Sequence, residues 1–194
     1  KDMLIQDPQD VYLLSLMSEL CLQQDKIDQA ASLIDTAIGL SPDSPDLFFI
    51  KARILLQQDK YDEAEVRANN LMNNKLITGV DLSLAMFYMA QIKYEKNDLN
   101  AANSFALKSY KKLHDKPELN YLLYLINTRV NDIGEAFKFI MLCISVNKKL
   151  IEKKSKIESE NILDQTDLYL RAINLSLKLD KQTDAENLIA ELSN

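Results

Sequence analysis

Glycine is scarce in this chain, with three among 194 residues. Loops that cradle phosphate need glycines where the backbone closes on the anion, so a nucleotide-type cradle is almost excluded. A single histidine, His114, sits in a lysine-rich stretch with no second histidine and no cysteine beside it. Zinc wants several such ligands at helical or turn spacing, and neither a GxSxG elbow nor an HExxH pair occurs. Carboxylate pairs such as Glu63 and Glu65 read as exposed turn and helix residues without a partner pattern, whereas acid–base chemistry calls for burial and a displaced pKa. The expectation is a non-enzymatic chain with no catalytic residue, no cofactor and no metal. The two cysteines, Cys21 and Cys143, fall on apolar stripes too far apart in the chain for a disulfide and read as small buried side chains.

Long apolar runs are missing as well. A bilayer span needs about 20 consecutive apolar residues, and FKFIMLCISV at 137–146 is too short, fitting a buried helix instead. No insertion into a membrane is expected, and the chain reads as soluble, of the cytoplasm or a bacterial periplasm. The net charge of −6 disfavours sustained attraction to a phosphate backbone, so nucleic acid is not an expected partner. The basic run KKLIEKKSK at 148–156 is the local exception. Interleaved with Glu152 and Glu158, it reads as the solvated face of a lengthened helix.

Against these absences stands a repeat. The stretch QQDKIDQA at 23–30 returns as QQDKYDEA at 57–64. The closing alanines, Ala30 and Ala64, have counterparts at Ala102, Ala136 and Ala185, with steps of 34, 38, 34 and 49. Five positions before each stand Asp25, Asp59, Asn97, Asn131 and Asp180. Asp and Asn are the non-glycine residues that best tolerate a left-handed backbone, which a tight turn at a helix end requires. The spacing therefore predicts five helical hairpins turning at these positions. Apolar residues at helical spacing flank each turn: Leu14, Met17, Cys21, Ile27, Ala30, Ile34, Ala37 and Ile38 in the first, Phe48, Leu55, Tyr61, Ala64, Ala68, Leu71 and Met72 in the second. Small residues Ser18, Ala52 and Ala90 recur twelve before the alanine, where two helices approach closely.

At these residues the chain resembles the tetratricopeptide-repeat family, built from 34-residue helix–turn–helix units with small residues at the two crossings. The resemblance covers about the whole chain and departs from the pattern towards its end, where Tyr124 and Ile173 fill the small slot. Lys51 and Lys93 stand where apolar residues are usual, and so does Gln182. The implied fold is all-α, a right-handed superhelix of tandem antiparallel hairpins. The expected units are 11–44, 45–82 with an insertion, 83–116, 117–165 with an extended second helix, and 166–194. Pro8 stands one repeat step before Pro42, and MLIQDPQD at 3–10 aligns with AIGLSPDS at 37–44, so the stretch 1–10 reads as the tail of a preceding unit in a longer protein.

The resemblance also implies which slots line the concave face. Among them are Tyr12, Glu19, Phe49, Arg53, Phe87, Tyr88, Gln91, Tyr94, Tyr121, Arg129, Arg171 and Asn174. The chaperone-binding branch of the family grips a C-terminal carboxylate with Lys and Asn at inner slots; here Ser15 and Glu19 occupy the first of these, so that clamp is absent. Phe49, Phe87, Tyr88, Tyr94 and Tyr121 are expected to form an exposed aromatic band flanked by Arg53, Gln91 and Arg129, the composition of an interaction hot spot. The expected function is a scaffold binding a segment of another protein or peptide in this groove. The alternative is a regulatory or substrate-presenting module of a larger enzyme or of an envelope or secretion assembly system. Exposed end units would also allow copies of the chain to associate.

Overall fold

Five left-handed residues punctuate the chain. The computed structural model describes residues 9–153 and 163–193, and φ is 57° at Asp25 and Asp59, 61° at Asn97 and Asn131, and 56° at Asp180. No other described non-glycine residue has a positive φ. Between these turns run ten α-helices, with no strand among the described residues: α1 Val11–Gln23, α2 Ile27–Leu40, α3 Pro45–Gln57, α4 Tyr61–Asn73, α5 Gly79–Glu95, α6 Leu99–Leu113, α7 Pro117–Arg129, α8 Ile133–Lys153, α9 Gln165–Lys178 and α10 Gln182–Leu192.

Four of these turns use their acidic or amide residue to satisfy helix-end carbonyls. The Lys26 N–H donates to Cys21 O at 2.8 Å and the Asp25 N–H to Leu22 O at 3.0 Å, the paired bonds of a Schellman ending. The same pair recurs from Lys60 and Asp59, from Asp132 and Asn131, and from Lys181 and Asp180. Helix starts are marked too. Asp10, Asp98 and Asp164 accept from backbone N–H groups of the first turn, and Pro45 and Pro117 open α3 and α7, where a missing N–H costs nothing. Gly79 begins α5 at φ 61°, where a side chain would be strained.

The chain divides between Lys96 and Asn97 into two compact units. In the first, α1 packs on α2 and α3 on α4, while α2 meets α3, α4 meets α5, and the odd-numbered helices α1, α3 and α5 lie side by side. One cluster joins Leu14, Leu22, Ile34 and Ala37 of α1 and α2 to Leu47, Ile50 and Ile54 of α3. Ala30, Ala64, Ala52 and Ala90 are wholly buried, as is Ser18, whose Oγ donates to Ala30 O at 2.9 Å. In the second unit α6 meets α7, α7 packs on α8, α8 meets α9, and α9 packs on α10. Ala102, Ala136 and Ala185 are buried there. Phe137, Phe139, Ile140, Cys143 and Ile144 make the apolar run of α8 a buried face. Asn147, also fully buried, fastens α8 to the start of α9. Its Nδ2 donates to Leu163 O and Gln165 Oε1, and its Oδ1 accepts from the Leu163 N–H.

Three details differ from expectation. Cys21 is only partly buried, whereas Cys143 is enclosed, its thiol pushed up to about 12 by desolvation. Glu63 and Glu65 do have partners. Glu63 accepts from Arg67 one turn on, and Glu65 of α4 accepts from Lys93 on α5 and from Lys96 just past its end. Lys51, an intruder at an apolar position, is buried and reaches Asp35 of α2 at 2.7 Å. Both misplaced lysines thus tie an odd-numbered helix to the even-numbered helix before it. The aligned segment 3–8 and the last three residues of the run 148–156 lie outside the described residues; α8 carries that run as far as Lys153.

Candidate partner-binding face

The odd-numbered helices carry all twelve candidate residues, and their burial explains what those residues do. Helices α3, α5 and α7 are buried on most sides; α5 alone hides Ser83, Ala85, Phe87, Tyr88, Met89, Ala90, Ile92 and Tyr94. A helix apolar nearly all round sits inside a protein rather than on it. Helix α4, by contrast, buries only Ala64 and Ala68, and α6 only Ala102, Ala106 and Ser109.

This arrangement overturns the expected exposed aromatic band. Phe49, Phe87, Tyr88 and Tyr94 keep 9, 3, 9 and 8% of their surface. Phe49 of α3 stacks on Tyr88 of α5, centroids 5.8 Å apart and planes 18° from parallel, and Tyr88 leans on Phe87 at 5.3 Å. Offset stacking and the removal of large rings from water both favour packing between adjacent helices. These rings are a seam joining α3 to α5.

In the first unit, the candidate residues that remain accessible are polar or lie on α1. Tyr12 is exposed. Glu19 and Arg53, each about one-third exposed, face one another from α1 and α3 at 3.7 Å, a separation and setting worth at most ~1 kcal/mol. Ser15 is turned back on its own helix, donating to Tyr12 O. Gln91 on α5 is half-buried, and its Oε1 has no hydrogen-bond partner among the described residues.

In the second unit Tyr121 is the one ring of the expected band to stay partly open. The Arg171 guanidinium lies over its face, 5.7 Å from the centroid, a cation–π contact. Arg171 is held in turn by Asp167 at 2.6 Å and by Tyr124 Oη at 3.5 Å, which strengthens its hold on its proton. Burial, the larger influence, raises the Tyr121 phenol above its ordinary value although Arg171 pulls the other way. Asn174 and Arg129 are exposed on α9 and α7. Tyr124 and Asp167 were not among the candidates, although the four-residue spacing of Asp167 and Arg171 is a readable helix-face pair. His114, at the end of α6, is exposed and meets the Tyr110 ring edge-on. Among the described residues no group of histidine, cysteine and carboxylate side chains could hold a metal ion, and no helix is long and apolar enough to cross a membrane.

Solved structures share this arrangement over nearly the whole chain. PilW, a widely conserved type IV pilus biogenesis factor, superposes with a TM-score of 0.75 at 16% identity, over 98% of this chain and 80% of that one. TTC0263, a tetratricopeptide-repeat protein of Thermus thermophilus, does so with a TM-score of 0.63 at 14% identity, over 94% and 89%. The chain has the tetratricopeptide-repeat fold. The Cut9 chain of the Cut9–Hcn1 hetero-tetramer also matches, with a TM-score of 0.75 and 13% identity over 98% of the repeat chain and 34% of Cut9. A sequence profile described as anaphase-promoting complex, cyclosome, subunit 3 matches residues 2–70. No curated protein sequence matches this chain.

Proposed function

We propose that the chain is a non-enzymatic scaffold that binds a segment of another protein along its odd-numbered helices. The supporting observation is the chemistry left accessible there once the aromatic seam is accounted for. In the first unit Glu19 and Arg53, each about one-third exposed, present one acid and one base. In the second unit the Tyr121–Arg171 pair offers an amphipathic ring already held in place, the kind of anchor that loses little entropy on binding. The apolar contribution is therefore smaller than an open band of five rings would supply, and polar register counts for more. YrrB, a tetratricopeptide-repeat protein whose structure has an unusual peptide-binding site, shares the fold at 9% identity with a TM-score of 0.56.

A second reading, a module within a larger assembly, draws on the matches to a pilus biogenesis factor, a hetero-tetramer chain and a cyclosome-subunit profile. Capture from native lysate by the wild-type chain and by an Arg53→Ala/Tyr121→Ala variant tests the groove. Loss of a recovered partner with an unaltered helical spectrum supports it. Undiminished recovery would move the site off the odd-numbered helices.

A further inference from the structure

The even-numbered helices of the first unit leave open a gap that the odd-numbered ones close. Helices α1, α3 and α5 lie side by side, whereas α2 and α4 each pack on α3 and do not pack on one another. Between them opens a cleft of about 210 Å³. Ile38 of α2, Phe48 of α3 and Leu71 of α4 give it an apolar lining, and Arg67, Asn70 and Asn74 a polar one, with the loop 42–44 alongside. The hairpins that bound it are both described, so it lies inside the repeat and apart from either end.

Its apolar lining is a core left incomplete. Ile34, Ala37, Leu47 and Ala68 of the same three helices are at most 3% accessible, but Ile38, Phe48 and Leu71 keep part of their surface. The Phe48 ring stands edge-on to Phe49, centroids 5.5 Å apart, so the aromatic seam holds it in place. The polar lining is rich in donors. Arg67 gives its Nε–H to Glu63, and its guanidinium has further N–H groups to offer. Asn74 uses its Oδ1 to accept from the Leu76 N–H, which leaves its amino group as a donor. Asn70 is exposed and presents both ends of its amide. Spacings of three and four residues put the three side chains along one edge of α4.

From this we infer that the cleft binds an extended peptide segment of another protein, with one apolar side chain against Ile38, Phe48 and Leu71 and an acidic residue next to it at Arg67. A lining rich in donors requires an occupant that brings acceptors. An extended backbone has carbonyls to give Asn70 and Asn74, whereas a helix has already bonded its own internally. The volume suits a single side chain of leucine size. Arg67 favours a carboxylate beside it through a charge-assisted hydrogen bond, and Asp43, in the adjoining loop, repels a second one. Glu19, Arg53 and Tyr121 do not line this cleft, so it is a site separate from the face proposed above.

Titration of the whole isotope-labelled chain with N-acetyl-leucyl-aspartyl amide, followed by NMR, tests this. The expected result is a saturable shift of the Asn70 and Asn74 side-chain amides and of Leu71. The glycyl-aspartyl analogue, which has no apolar side chain to bury, should bind about tenfold more weakly or worse, and the leucyl-lysyl analogue should not bind. Arg67→Gln and Asn70→Ala, both at accessible positions, should each weaken binding severalfold and leave the rest of the spectrum in place. No saturable shift along α4 up to the solubility limit would overturn the inference. Equal binding of the glycyl analogue would overturn it too, since the apolar lining would then select nothing. So would affinity unaltered by both substitutions, or shifts confined to Glu19, Arg53 and Tyr121, which would place the peptide on the odd-numbered helices instead.

Discussion

Asn131 takes a backbone conformation that costs most L-residues about 1–2 kcal/mol, and it does so where the chain must reverse between α7 and α8. Replacement by Gly should hold or raise the thermal midpoint, and replacement by Ala should lower stability by about 1 kcal/mol; equal midpoints for the two variants would show that the turn carries no strain. Such positions are legible in a sequence because turn chemistry is local, and Asp or Asn at one offset from a recurring alanine marks it. Lys51 and Lys93 were not legible in the same way. Their partners, Asp35 and Glu65, lie on other helices and become neighbours only through packing. Glu65 gives a test. Hydrogen bonds from Lys93 and then Lys96 hold its carboxyl below the usual carboxylate range. Its stabilising contribution is therefore fully present above the unfolded value of about 4.3 and is lost as the pH falls through the lower folded value. Glu65→Gln should lower the urea midpoint at neutral pH and match the wild type in strong acid. A deficit of constant size across the whole range would assign the effect to packing instead.

At the scale of a helix, periodicity tells which residues share a face but not whether another helix covers that face. Phe49 and Tyr88 meet between α3 and α5, which lie side by side, and the rings close the seam between them. The exposed band dissolves for that reason, while Tyr121, on α7, stays partly open under Arg171. The two tyrosines should therefore respond differently. Tyr88→Ala removes a buried ring and should cost about 3 kcal/mol of stability. Tyr121→Ala should cost about 1 kcal/mol or less, the order of an exposed cation–π contact. Denaturation midpoints for the pair decide the matter: similar losses would mean that Tyr121 is as much a part of the core as Tyr88.

For the molecule as a whole, the all-helical class and the hairpin turns were legible because each rests on contacts within about one repeat. The division between Lys96 and Asn97 was not, because it depends on which helices pack on which. In each unit a helix touches only the next helix along the chain or the next but one. That pattern bears on speed. Few chain segments must find distant partners, so little loop-closure entropy stands in the way of the first native contacts. Refolding should then fall among the rates of proteins rich in local contacts, microseconds to milliseconds, as followed by helical signal after a rapid denaturant jump. A main phase lasting seconds would mean that the rate is set by something slower than neighbouring helices closing on one another.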